Sequence, residues 1–473
     1  MCKRIILLIL IFRTVTLESQ TERWNLEKCI QEGIDKNLNL KLTELNLRNS
    51  ELAIKESKFQ QLPNLGANLN SGLSIGQNID PTTNGFVSQN ILFGNYGISA
   101  SVLLFQAGQI RNTIKQNEIL FDASKKDYEQ AINDFSLQVA VQYLNVLLSE
   151  ERLSIAKKSF QTASMQSKQL QRLVDIGSRA NADALEMKSQ EAKAEQSIIL
   201  AENVLEQAKL QLKQLIRVNS NTNLELEKIQ DSEFRNIQNE SYTSENLFDI
   251  AEKNQAIIQA AVLRVNAAET QEKIAKSRYY PSITGFANVD SRYSNAAVVP
   301  SEFGIRTETL TGTVNGTPLS FEYEVPTITK TTVISFGDQF NQFLGYRFGL
   351  AANIPIFNNY STTASVKRSQ IQSLEAKINL ENQKESLKLQ IVQAVANVKS
   401  AVKELEAAKK SDELARLVYE NTTKKYEIGT ANSFELNASK NSAESSENSL
   451  IIAKYDLLFK QKVLDLYAGK KIK

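Results

Sequence analysis

The sequence predicts an internally duplicated α+β fold in which very long antiparallel helical hairpins alternate with groups of β-strands. Three observations carry that reading. First, Arg111 to Asp175 is a run of sixty-five residues without Gly or Pro. Its apolar side chains (Ile110, Ile114, Phe121, Tyr128, Ile132, Phe135, Val139, Tyr143, Val146) recur at threes and fours, the spacing of a helix with one buried stripe. At 1.5 Å per residue such a helix is roughly 100 Å long. Second, all seven prolines lie at or between short stretches that alternate apolar with small or polar residues, the signature of strands. Third, the plan occurs twice. Phe105 and Phe357, Gln138 and Gln390, Asn145 and Asn397, and Leu153 and Leu405 are each 252 residues apart. A register held across a strand and a long helix means that packing fixes length, so two equivalent hairpins stand side by side.

Taken in order, Trp24 to Phe59 reads as helical, with Leu26, Ile30, Ile34, Leu38, Leu42, Leu45, Leu52 and Ile54 at helical spacing, and Pro63 ends it. Leu65 to Ile75 alternates as a strand, Gly72 to Gly94 reads as a turn-rich loop, and Tyr96 to Leu104 alternates again. The first hairpin follows. Its Gly177 marks a helix C-terminus, because only glycine takes the left-handed conformation without steric cost, and a returning helix reaches about Ile216. Val218 to Ser244 is a polar connector. Leu247 to Tyr280 is helical and ends at Pro281, and Ile283 to Tyr293 is a strand whose alternation Phe286 breaks. Ser294 to Gln342 is a long loop with Thr- and Val-rich phrases able to form a hairpin. Tyr346 to Ile356 alternates cleanly, with Phe348, Leu350, Ile354 and Ile356 matching Tyr96, Ile98, Val102 and Leu104 at the same offset. A second long hairpin turns at Gly429, and Ile176-Gly177 and Ile428-Gly429 also keep the offset of 252.

Composition bounds the function. The 55 basic and 53 acidic residues nearly balance, which argues against nucleic acid as a partner. There is no histidine, which removes the commonest general base and metal ligand. No GxxxxGK[ST] phosphate loop occurs, and no cofactor is expected. An enzyme would need clustered carboxylates, and the best pairs on offer, Asp183 with Glu186 and Glu404 with Glu406, are ordinary on helix surfaces. The protein is expected not to be an enzyme. Lys3 and Arg4, the apolar run Ile5 to Phe12, and Leu17-x-Ser19 read as an export signal over residues 1–19, the alternative being an uncleaved anchor. Its removal leaves Cys29 alone, a small buried apolar residue by expectation. No later segment is apolar enough for a membrane-spanning helix, so a membrane would have to be crossed by strands.

Four strands of about ten residues with one apolar face have the length of membrane-spanning strands. Four cannot close by themselves, and an open edge in lipid leaves unpaired backbone groups at several kcal/mol each. Pooling strands among copies in a closed ring solves this, and three copies give twelve strands. The opposite face (Gly97, Ser99, Ser101, Arg347, Gly349, Ala351, Asn353) is small and polar, as a water-filled lumen requires. A soluble sheet with one buried face alternates identically. The long helices weigh against it, since they need partners along their whole length.

The duplicated helix–strand–strand–helix plan carries two matched phrases. These are Asp175-Ile176-Gly177-(x)5-Asp183-Ala184-Leu185 and Tyr426-Glu427-Ile428-Gly429-(x)5-Glu435-Leu436. On these features the chain resembles the TolC family of outer-membrane efflux ducts over nearly its whole mature length. The resemblance implies an α+β membrane protein, a homotrimer whose hairpins form a periplasmic α-barrel and whose strands form a 12-stranded β-barrel in outer-membrane lipid. It implies an exit duct of a tripartite efflux or type I secretion system, docked on a periplasmic adaptor and served by an inner-membrane RND or ABC pump.

The implied division is a signal peptide at 1–19, N-terminal helices at 20–62, and strands 1 and 2 with an extracellular loop at 63–107. The first hairpin then takes 108–217, an equatorial connector 218–246, a helix 247–280, strands 3 and 4 with a long extracellular loop 281–357, and the second hairpin 358–473. Adaptor docking falls on the tips, Ile176, Gly177, Ser178, Ile428, Gly429 and Thr430. The resemblance also implies a gate in which Tyr426 bonds to Asp183. Arg179 stands two after the first tip glycine, whereas the position two after the second, where the family often has arginine, is Ala431. Glu435 matches one acidic entrance ring of the family and Ala438 departs from a second. The bland reading of Asp183 and Glu435 is first-turn charges favoured by the helix dipole. The competing reading of the whole chain is a secreted or surface filament, with paired helices as the shaft and β-rich loops displayed outside.

Overall fold

A computed structural model describes residues 23–79, 84–88, 90–229, 243–314 and 316–470. The expected signal peptide lies outside the described residues. Contacts group the chain into two compact units. Unit one is Met1–Asn49, Phe121–Val265 and Ala376–Lys473, and unit two is Ser50–Leu120 and Asn266–Glu375.

Eight of the described helices come in pairs of equal length. Helices α1 (Leu26–Lys36) and α2 (Leu38–Phe59) have 11 and 22 residues, as do α5 (Ser244–Asn254) and α6 (Ala256–Ser277). Helices α3 (Gln109–Asp175) and α8 (Ser361–Glu427) have 67 each, and α4 (Asn181–Leu215) and α9 (Ser433–Tyr467) have 35 each. The helix expected from Trp24 to Phe59 is therefore two. Asn37 breaks it because its Oδ1 accepts the Asn39 and Leu40 backbone N–H groups at 2.8 and 3.1 Å, capping α2 and competing with helix continuation. Gln255, in extended conformation, interrupts the second run at the equivalent place.

Two apolar clusters in unit one are the same core built twice. The first joins Cys29 and Leu40 to Phe135, Val139, Tyr143 and Leu212. The second joins Leu247 and Ile258 to Leu387, Ile391, Val395 and Leu464. Each residue of the second stands 218 or 252 positions after its counterpart in the first. Cys29 is fully buried, as expected of a small apolar residue. The described part of the connector after Arg217, as far as Ile229, folds back on the first core, and residues 230–242 of it lie outside the described residues. Trp24 and Leu226 form a parallel bridge, and Tyr143 Oη donates to the Glu227 carbonyl at 2.7 Å. A further cluster of Leu170, Met187 and Leu436, with Tyr419 and Tyr426 against it, ties the two hairpins together.

Unit two holds the strands β1 (Asn64–Ser74), β2 (Gln77–Ile79), β3 (Phe86–Ser88), β4 (Ile91–Phe105), β5 (Ser282–Ser294), β6 (Val298–Val314), β7 (Thr317–Val333) and β8 (Gly345–Asn353). One antiparallel sheet has the order β1-β4-β5-β8. The turn-rich loop expected from Gly72 to Gly94 is shorter: β1 and β4 run on into it, and β2 and β3 pair in what remains. The long loop holds the hairpin β6–β7 and the short helix α7 (Phe336–Gln342). These lie between β5 and β8 and account for the step in offset from 218 to 252. Gln339 of α7 pins this insert, accepting from Ser294 N and donating to the Ser294 and Ile334 carbonyls, each at 2.8 Å.

Strand β8 stops at Asn353, so the expected strand residues Ile354 and Ile356 lie beyond it. Pro355 cannot donate a ladder hydrogen bond and restricts the residue before it, and Ile356 is 95% exposed.

Candidate functional site

The sheet register decides which side chains share a face. Leu65, Ala67 and Leu69 stand opposite Ala100, Ile98 and Tyr96, which stand opposite Ala287, Val289 and Ser291. Ala287 and Val289 in turn stand opposite Phe348 and Tyr346. With successive side chains on opposite faces, one face of all four strands is an apolar band interrupted at Ser291, and Phe348 on it is 84% exposed. The other face carries Asn68, Gly97, Ser99, Ser101, Asn288, Asp290, Arg347, Gly349, Ala351 and Asn353. There Arg347 donates to Asp290 at 2.9 Å.

Phe286 broke the expected alternation because it belongs to the polar face. Its ring lies across its neighbour Gly349, where an added Cβ would meet Phe286 Cζ at 3.0 Å. Phe93 lies over Gly72 in the same way at 2.8 Å. Each of these rings on this face lies over a glycine of one neighbouring strand. The sequence signal was a Phe–Gly pair across strands, which needs the register to be seen.

The hairpin tips are built from glycine turns. Gly177 and Gly429 have φ of +74° and +80°. Ser178 N donates to the Leu173 carbonyl at 2.8 Å and Thr430 N to the Lys425 carbonyl at 2.9 Å, closing both helices with six-residue turns. All six residues expected at the docking surface are exposed, and Ile176 and Ile428 are each 76% exposed. Behind the second turn Asn432 Oδ1 accepts from Glu435 N at 2.9 Å, which starts α9. Ala180 occupies the equivalent position before α4 and makes no side-chain cap. Glu435 itself is exposed in the first turn of α9.

The gate residues converge, but not as the resemblance implied. Tyr426 is half-buried beside a cleft of about 150 Å³ lined also by Leu170, Arg179, Met187 and Leu436. The Arg179 guanidinium lies over its ring at 5.3 Å, a cation–π contact. The expected Tyr426–Asp183 hydrogen bond is not formed: Tyr426 Oη is buried without a partner. Burial pushes the phenol up from its usual range; Arg179 opposes that, and the Asp183 and Glu186 carboxylates add to it.

The carboxylate that joins the hairpins near the tip is Glu186. Its Oε2 accepts from Ser433 Oγ at 2.9 Å and its Oε1 from Asn437 Nδ2 at 3.2 Å, linking α4 to α9. Sequence reasoning weighed Glu186 only as half of an acidic pair. The usable signal was Ser433 and Asn437 four apart, both facing one acid across the hairpins. Ser159 Oγ to Glu444 at 2.5 Å and Gln166 to Tyr419 Oη at 3.3 Å add cross-hairpin bonds farther from the tip. Among the described residues no cluster of three or more Cys, Asp or Glu could hold a metal ion, and no helix is long and apolar enough to cross a membrane.

The profile of a family described as outer membrane efflux protein matches residues 29–216 and 247–470. Solved structures with a similar fold include CusC, with a TM-score of 0.75 at 15% identity over 94% of this chain and 92% of that one. The outer membrane protein VceC from Vibrio cholerae gives 0.72 at 13% identity over 95% and 97%. The open state of the Neisseria gonorrhoeae MtrE outer membrane channel gives 0.68 at 18% over 94% and 88%. No curated protein matches the sequence.

Proposed function

This chain belongs to the outer membrane efflux protein family, and we propose that it is the passive exit duct of a tripartite efflux or type I secretion system. The observation that carries the proposal is the apolar band across four strands whose two outer members, β1 and β8, have no further strand beside them among the described residues. Such edges are untenable in lipid unless another strand pairs with them. Because neighbours in the sheet all run antiparallel, β8 of one copy can pair antiparallel with β1 of the next. Three copies supply twelve strands, enclosing the Asn-, Ser- and Gly-rich face around water.

In this reading the long hairpins extend into the periplasm. The exposed isoleucines beside the tip glycines meet a periplasmic adaptor, which recruits an RND or ABC pump in the inner membrane. The family is one of channels, not of enzymes, and the energy comes from the pump. Tyr426, Arg179, Asp183 and Glu186 narrow the entrance, and Glu435 contributes one acidic ring, where clustered carboxylates attract cations.

The test is the mass of the detergent-solubilised protein and its conductance in planar bilayers. A homotrimer that conducts is expected. A water-soluble monomer without conductance overturns the proposal.

A further inference from the structure

The duplicated scaffold permits an internal comparison, since one repeat serves as the reference for the other. The repeats differ at the base of the first hairpin. There Asn39, Gln138, Gln142, Gln211, Gln214 and Arg217 line an open cleft of about 540 Å³, within the size range of small-molecule sites. The equivalent positions in the second repeat are Ile257, Gln390, Ala394, Val463, Leu466 and Gly469. Ile257, Ala394 and Val463 belong to the second apolar core, and the Leu466 carbonyl accepts from Gln255 Nε2 at 2.9 Å. Gln390 apart, the second copy carries apolar side chains or glycine where the first is lined with amides and a guanidinium.

Two features of the open copy point to an occupant. Gln142, in the lining, has its Oε1 buried without a hydrogen-bond partner; rotation of this amide toward the cleft would let a ligand donor satisfy it. Arg217 has φ of +54°, whereas its counterpart Gly469 takes +78° without steric conflict. A non-glycine residue thus stands in a strained conformation where the duplicate has glycine, the kind of outlier that a functional side chain would account for.

We propose that this cleft binds a carboxylate-bearing acetamido-sugar glycan. Each primary amide both donates and accepts, which matches hydroxyl and acetamido groups that do the same. The lining contains one guanidinium and no carboxylate, so it suits a carboxylate on the ligand. Leu38, Val141 and Leu215, also in the lining, offer apolar surface to the CH faces of sugar rings. Only the biological setting, a glycan in the periplasm, rests on the channel reading.

The experiment uses the full-length, detergent-solubilised protein and two probes, followed by calorimetric titration. One is a peptide-free tetrasaccharide of alternating N-acetylglucosamine and N-acetylmuramic acid. The other is chitotetraose, which has the acetamido rings without the carboxylates. The wild type should prefer the carboxylated probe by about tenfold. Arg217→Gly, which relieves the backbone, should erase that preference while its thermal unfolding midpoint stays at or above wild type. Gln142→Ala should weaken both probes roughly tenfold.

Failure of the wild type to bind at millimolar concentration, or an unchanged preference in Arg217→Gly, overturns the proposal. So does failure of a maleimide to label Gln211→Cys in a Cys29→Ser background, because a neighbouring copy then fills the cleft. Conductance of the same preparations separates the two readings. Missing glycan binding with normal conductance rejects the cleft alone; missing conductance with normal binding rejects the duct alone.

Discussion

Replacing Gly33 by alanine would place a methyl group 2.7 Å from Cε1 and Cζ of Phe135 and 3.4 Å from Cγ2 of Ile216. The equivalent pair in the second repeat is Ala251 and Leu387, both buried in its core. The duplicated core thus solves one packing problem twice, with a large ring over glycine in one copy and a smaller side chain over alanine in the other. Gly33→Ala alone gains about 1 kcal/mol of helix propensity and loses about 1–3 kcal/mol to overpacking, a net loss of roughly 1 kcal/mol. Phe135→Leu alone opens space above a glycine and should cost about 1–2 kcal/mol, below the range for truncation to alanine. The double variant reproduces the second repeat's pair, removes the clash and keeps the propensity gain. It should lie within about 0.5 kcal/mol of wild type, giving a favourable coupling of about 2 kcal/mol. Trp24 is the only tryptophan and packs against this core. Its fluorescence during urea titration of the solubilised protein therefore reports the relevant transition. Additive effects within about 0.5 kcal/mol would refute the argument that the two pairs are alternative solutions to one contact.

Three more outcomes are expected. Glu186→Ala should raise the resting conductance of reconstituted channels by breaking the bonds to Ser433 and Asn437, whereas Tyr426→Phe should not, because its hydroxyl has no partner; the opposite order in bilayer recordings would reinstate a tyrosine lock. Gly429→Val forces a β-branched residue to φ of +80°, so it should lower stability by about 1–2 kcal/mol or more and weaken adaptor binding, as surface plasmon resonance with the purified adaptor can check. The Lys440 side chain is 4% exposed, and burial holds its ammonium below the usual lysine range, with Glu444 opposing. The unfolded chain therefore binds this proton more readily and stability rises with pH between the depressed and ordinary values, so Lys440→Met should exceed wild type at neutral pH by a margin that narrows toward about pH 10.4; a constant margin in urea titrations would exclude the titration as its source.

The long elements were legible in the sequence because their signals are local and repeated. Helices α3 and α8 announce themselves by an apolar stripe, the absence of breakers and a terminal glycine, and an equal length in both repeats reinforces each. The breaks at Asn37 and Gln255 were missed because apolar periodicity runs straight through them. What interrupts the first is a single side-chain oxygen taking two backbone donors. The place of Phe286 was hidden for the opposite reason: alternation within one strand registers the break but not the glycine in the neighbouring strand over which the ring lies.

At the tip, the positions carried over from the resemblance arrive in one place, yet their bonds are rearranged. With Ala431 two residues after the second tip glycine, the cation comes instead from Arg179 on the first hairpin. Stacked over the Tyr426 ring, it interacts with the face of the phenol while the hydroxyl stays buried and unpaired. The cross-hairpin bonds then pass to Glu186, one helical turn beyond Asp183, where Ser433 and Asn437 can both reach a carboxylate. A position can therefore be shared with a family while the interaction it makes is not, because a side-chain contact depends on its partner's identity as well as on its own. Backbone plan and helix length survive such exchanges, since many residues specify them together. A two-residue bond does not, and that is why the fold could be read from the chain and the wiring of its entrance could not.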